Sequence, residues 1–457
     1  MKVRQICMMV LLGLGVIPAM QAQTFDKLWK EVEQAEKKSL PKTVIKLTDE
    51  IYQKGEKERN SAQMLKAYMW RMKTQDILTP DSFYVGLRDL EQWAKQTKQP
   101  MDRAILHSLI AEFYANYAAD NQWQLRQRTE IVGETPSADI REWTANMFVE
   151  KVRTNVKEAL ADSLLLLKTS SRNYIPFVEL GETSEYYHHD MYHLLASRAI
   201  RALNQIERLE RGSFNGITAS PVKQDIINIY ERMTDAYETA GLKEGYVLTM
   251  LQYLEWKRDN DNKLQPVQLK KGLGEWTADT YNAALDELKR QFKSEPICAE
   301  VYLAQVRYAV EKMQQVNALQ LCDEAIRLYP GYRRINALKN LREEILAPFL
   351  NVSAVSQAFP NEEIKLNVGH KNLDGFTVRL YQAKKLVKEQ HYSVLRPKDY
   401  RAKDTVFTFK APDLGTYVMR IIPDIRAKRD SESKFNVTRF KVLTCRLPEN
   451  QYEVVTL

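Results

Sequence analysis

The residues best placed to do chemistry are the run Tyr186-Tyr187-His188-His189-Asp190-Met191-Tyr192-His193. On a helix His189 and His193, four residues apart, share one face, and Asp190 adds an oxygen ligand. Zinc sites use that spacing, but a metalloprotease helix needs His-Glu-x-x-His, and the glutamate base is missing here. The run is therefore read as an aromatic-rich helix start packing under the loop before it. A glycine-rich phosphate loop, a G-x-S-x-G elbow and a Cys–His pair at recognisable spacing are all lacking. No catalytic, cofactor-binding or metal-binding residue is assigned, no cofactor is expected, and the chain is read as not an enzyme.

The cysteines add little chemistry. Cys7 lies in an amino-terminal apolar stretch, which leaves Cys298, Cys322 and Cys445, too few and too scattered for a disulfide framework. Cys298 and Cys322 fall on neighbouring expected helices, where they either meet or stay as buried free thiols. Asn351-Val-Ser and Asn436-Val-Thr match a glycosylation pattern that recurs by chance. The 7 Trp and 23 Tyr sit at helical or strand spacing, which favours core packing over a carbohydrate platform.

The elements around these residues change character near Arg342. Before it, apolar residues recur at helical spacing. Phe25, Trp29, Val32 and Ala35 lie on one face, followed by Val44, Leu47 and Ile51 after Pro41. Segments 61–73, 79–97 and 102–121 read as further helices, with Thr79-Pro80-Asp81 as a start signal. The segment 102–121 is apolar over most of its surface. Trp143, Met147, Phe148, Val152, Val156, Leu160, Leu164 and Leu167 form one continuous stripe, so 137–168 reads as the longest regular segment. Short polar turns between such helices predict stacked antiparallel pairs. Over Tyr302–Pro330, the positions Ala318, Cys322, Ala325 and Pro330 carry the offsets of the second half of a tetratricopeptide repeat. Small residues there let paired helices approach closely. Val306 stands where that repeat has a small residue.

From Val352 the period becomes two, with Pro348 and Pro360 bracketing the switch. Ile364, Leu366 and Val368 share one strand face, and Phe376, Val378 and Leu380 share another, with Asn372-Leu373-Asp374-Gly375 as the turn between them. Segments 405–412, 415–424 and 437–445 read as strands, whereas 383–404 does not alternate and reads as a long basic loop. About seven short strands with no helix between them predict an antiparallel, immunoglobulin-like sandwich.

Composition fits a water-exposed globular chain, at 44% hydrophobic and 28% charged residues. The net charge of +8 is dispersed, with Lys and Arg interleaved with Glu and Asp. That pattern is a solvated surface, and no nucleic-acid partner is expected. Residues 1–22 combine a basic start, an apolar run and Gln-Ala-Gln, the pattern of a secretory signal peptide. The run falls short of the about 20 residues of a membrane span, and no other stretch qualifies.

Several extended stretches carry a resemblance. "TFDKLWKEVEQAEKKSLPKTV", "LTPDSFYVGLRDLEQWA" and "YIPFVELGETSEYYHHDMYHLLASRAI" are similar to the amino-terminal region of exported proteins of Gram-negative bacteria classed as alpha-2-macroglobulins. "FPNEEIKLNVGHKNLDGFTVRLYQ" and "APDLGTYVMRIIPD" resemble the first macroglobulin-type sandwich of that family, and "QYEVVTL" the start of the next. The resemblance implies an endopeptidase inhibitor of the periplasm or cell envelope, whose partners are proteases or envelope proteins. The Cys298 and Cys445 contexts depart from the family's C-x-E-Q thioester motif, and no bait region is visible. The expected layout is a signal peptide over 1–22, an all-helical tetratricopeptide-like domain over 23–346 and a macroglobulin-type β-sandwich over 350–446. Residues 447–457 are expected to begin a further β domain that is cut short. The expected fold class is thus an α-solenoid or helical-bundle arm followed by an immunoglobulin-like antiparallel sandwich. The expected function is non-enzymatic, with the arm as a protein-interaction module. The alternative is a free-standing exported tetratricopeptide-type scaffold that binds a protein or peptide.

Overall fold

The structure is a computed structural model that describes residues 17–79, 82–129, 137–181, 184–210, 220–260, 278–355, 357–424 and 437–443. Among them fifteen α-helices precede eight β-strands. The chain divides into two compact units, Met1–Tyr281 and Asn282–Leu457.

The first unit opens with α1 (Ile17–Lys37), α2 (Pro41–Glu58), α3 (Ser61–Leu78), α4 (Ser82–Gln96) and α5 (Pro100–Asp120). Proline opens α2 and α5, where its missing N–H costs nothing, and the Asn60 side chain caps α3 by accepting the Gln63 N–H. The expected faces are the buried ones: Phe25, Trp29, Val32 and Ala35 on α1, and Val44 and Ile51 on α2. Successive helices pack on one another, α1 on α2, α2 on α3 and α4 on α5. Helix α5 takes the central place, packing also on α7 (Ala145–Ala159) and α9 (Met191–Ile206). That packing accounts for its wide apolar surface, and Arg103 and Asn116 mark the part left exposed.

The stripe from Trp143 to Leu167 does not belong to one helix. A 3-10 turn at Ile140–Glu142 precedes α7, and after Leu160 the chain turns before α8 (Ser163–Lys168). Asp162 caps the new helix by accepting the Leu165 N–H at 3.0 Å. That restart resets the helical phase: Phe148, Val152 and Val156 are buried, but Leu164 is 66% exposed and Leu166 is buried instead. The short α6 (Gln122–Gln127) follows α5, and α10 (Pro221–Thr239) packs on α11 (Lys243–Asn260). Helix α12 (Ala278–Gln291) crosses the division between the units.

In the second unit α13 (Cys298–Glu311), α14 (Gln315–Leu328) and α15 (Ile335–Leu346) pack in succession. Ala318, Cys322 and Ala325 are fully buried, as their small side chains and spacing led us to expect. Secondary structure changes between Leu346 and Phe349, close to the change of hydrophobic period. The compact unit nevertheless begins earlier, so these helices group with the strands. One tie is the Asn372 amide, which donates to the Ile345 and Ala347 carbonyls at 2.8 and 3.2 Å.

The strands are β1 (Phe349–Ser353), β2 (Gln357–Ala358), β3 (Glu363–Lys371), β4 (Gly375–Gln382), β5 (Lys385–Ser393), β6 (Lys403–Lys410), β7 (Gly415–Pro423) and β8 (Val437–Val442). They form a three-stranded sheet, β1-β3-β6, and a five-stranded sheet, β2-β8-β7-β4-β5. All pairs are antiparallel except β2 with β8. Ile364, Leu366 and Val368 of one sheet and Phe376, Val378 and Leu380 of the other share a single core. The expected loop over 383–404 is corrected, because Lys385–Ser393 is strand β5. It ends its sheet and buries only Tyr392, so its sequence has no apolar alternation to betray it. Of the signal peptide expected over 1–22, residues 1–16 lie outside the described residues and 17–22 belong to helix α1, and the strand start in 447–457 lies outside them too.

Candidate functional site

The histidine run closes a loop rather than lining a helix. Helix α9 begins only at Met191; Tyr186 and Tyr187 lie in a 3-10 turn, and His188 and His189 take left-handed backbone angles, φ 50° and 54°. The i,i+4 relation between His189 and His193 is lost with the helix. His189 is engaged at both ring nitrogens, Nδ1 with Ser184 Oγ at 3.0 Å and Nε2 with the Arg172 guanidinium at 2.7 Å. A metal ligand needs a free nitrogen lone pair, and here a guanidinium donor occupies it. Among the described residues no group of three His, Cys, Asp or Glu is placed to hold a metal ion.

What the run builds is the neck of the loop 169–190. The Met191 N–H donates to the Thr169 carbonyl at 3.0 Å, and the Ser171 N–H to the His189 carbonyl at 2.6 Å. Asp190 occupies the centre of this neck. It caps α9 by accepting the His193 N–H at 2.6 Å, and accepts from the Tyr237 hydroxyl at 3.2 Å. Burial pushes its carboxyl up to about 6, against the opposing pull of those donors. His193 stacks flat on Tyr187, ring centroids 3.5 Å apart, and burial pushes its pKa down to about 4. At neutral pH it is therefore an uncharged packing group.

The other end of the loop is held by Asp102, buried in the first turn of α5. Its two oxygens accept from the Tyr174 hydroxyl at 2.8 Å and from Ser61 Oγ at 2.6 Å. Asp102→Ala leaves the Tyr174 hydroxyl buried without a partner, and such a loss costs about 1–3 kcal/mol. We expect a stability loss of that size in chemical denaturation, and faster proteolytic nicking within 171–181. An unchanged midpoint with unchanged cleavage would show that the carboxylate does not hold the loop.

Between this loop and the helices lies a cavity of about 340 Å³. Its wall comes from Ile105 and Leu109 of α5, Met191 and Leu195 of α9, and Phe177 of the loop. Nothing in the spacing of these residues points to it, since each reads as ordinary helix core or loop. Only the loop's apolar pair, Phe177 and Val178, which line the cavity, marks a segment with a surface to cover.

The cysteines are resolved in one direction. Cys298 and Cys322 are both free and buried. Burial raises both thiols, Cys322 to about 11, so neither carries thiolate at neutral pH. Cys445 and Asn436 lie outside the described residues; Asn351 is exposed on β1. Among the described residues no helix is long and apolar enough to cross a membrane. No protein-family model matches this chain, and no curated protein matches it.

Proposed function

We propose that the chain is a non-enzymatic exported protein of the alpha-2-macroglobulin class, its helices acting as an interaction arm and its β region as a first macroglobulin-type, immunoglobulin-like sandwich. The observation that supports this reading most is the succession of a fifteen-helix region and a two-sheet β region sharing one core, the order that the resemblance implies. The partners on this reading are proteases met by the complete protein, or envelope proteins met by the arm. The chain's place is then the periplasm or envelope, after removal of 1–22.

A free-standing exported scaffold of tetratricopeptide type is the second reading. It draws on the hairpin of α13 and α14, where Ala318, Cys322 and Ala325 permit close helix approach. One experiment separates the two. The complete secreted protein is incubated with a panel of proteases and its hydrodynamic radius followed by size-exclusion chromatography. The inhibitor reading expects a single early cleavage followed by compaction and retained protease. Cleavage with no change of radius and a freely active protease would leave the scaffold reading.

A further inference from the structure

We propose that the cavity beneath the 171–181 loop binds a compact, mainly apolar ligand that has no negative charge and carries one hydrogen-bonding atom. This stands apart from the macroglobulin reading, because it concerns a small molecule and rests on the first unit alone. Size comes first. At about 340 Å³ the space lies at the lower end of ordinary ligand pockets, roughly 300–1,000 Å³, and is far above what packing defects leave in a core.

The wall then sets the chemistry. Most of it is aliphatic or aromatic, so transfer of apolar surface drives entry. Two ionic groups border it, Glu179 and Arg198, and Arg198 is already ion-paired with Glu112. An anion would meet no uncommitted cation there, since Arg198 is held by Glu112, and would lose its hydration, which disfavours anions. A third polar residue belongs to the wall. Ser108 is 5% exposed and its hydroxyl has no hydrogen-bond partner among the described residues. Such a group is costly where it stands, and Ser108 is among the residues that line the cavity. A ligand offering a hydrogen-bonding atom at that wall relieves the cost.

The test is equilibrium dialysis of the full chain against N-phenyl-1-naphthylamine, a neutral apolar amine, and against its anionic relative 1-anilinonaphthalene-8-sulfonate. We expect saturable binding of the neutral probe at one per chain, and at least tenfold weaker binding of the anion. Leu194→Trp, which fills the space from a half-buried position on α9, should weaken the neutral probe at least tenfold. Val178→Trp fills it from the loop and serves if the first variant does not fold. Ser108→Ala should weaken the probe by about two- to tenfold, the worth of one hydrogen bond. Absence of saturable binding overturns the proposal, and so do filled variants that bind like wild type. Equal affinity for the anion overturns the exclusion of negative charge.

Discussion

Replacing Phe148 by alanine is expected to destabilise the helical unit by about 3–5 kcal/mol, the usual cost of emptying an aromatic site in a core. Phe148 is fully buried at 0% exposure. Its ring meets Trp143 at 5.2 Å, Tyr117 at 5.4 Å and Tyr114 at 6.2 Å between centroids. Tyr114 is itself fixed, stacking on Trp143 and donating to Glu91 at 2.9 Å. Three rings held by other contacts cannot collapse into the vacancy, so the cavity term adds to the lost transfer energy. Each aromatic pair contributes a further ~0.5–1.5 kcal/mol. The measurement is a urea titration of the full chain beside Leu164→Ala, a change at a 66% exposed position of the same sequence stripe. We expect the second variant to move by less than about 0.5 kcal/mol. Similar losses in both would show that the stripe is packed along its whole length, contrary to the restart at Asp162.

The pH dependence of stability should change sign between two substitutions at the loop neck. The Asp190 carboxyl is raised from 3.8 to about 6 by burial. Between those values the folded chain holds a proton that the unfolded chain has released, so stability from this group falls as pH rises. His193 is lowered from 6.5 to about 4, again by burial. In that window the unfolded chain holds the extra proton, so stability from this group rises with pH and is complete above 6.5. Each swing is on the order of 3 kcal/mol at 1.36 kcal/mol per unit, and over pH 4–6 the two oppose one another. Wild type should therefore show little net slope from this pair. Asp190→Asn keeps a helix cap while removing the titration, and should gain stability steadily from pH 4 to 6.5. His193→Phe keeps a ring against Tyr187 and should lose stability from pH 4 to 6. Denaturant midpoints across that range decide the matter; parallel profiles for all three proteins would refute the opposed pair.

The helical faces of α1 and α2 and the inward strand faces at 364–368 and 376–380 were legible because burial imposes a period on the sequence. Two elements escaped, for different reasons. Strand β5 ends a sheet and leaves most of its side chains in water, so Lys385–Ser393 reads as loop. The Trp143–Leu167 stripe kept its period across a break, because Asp162 restarts a helix without any apolar signal.

The candidate site was less legible still. Spacing put His189 and His193 on one helix face, whereas the left-handed backbone at His188 and His189 delays α9 to Met191. The chain by itself determined a helical region followed by strands, their main buried faces, and the small residues Ala318, Cys322 and Ala325 of a close hairpin. Tertiary structure alone decided that Asp102 and Asp190 hold the two ends of one loop, that His193 is a neutral stacking group, and that a cavity lies beneath. The physical reason is range. Periodicity records which side of a local element meets the core, whereas the loop's anchors, such as Asp102 with Tyr174, are partners 72 residues apart whose meeting depends on how whole helices pack.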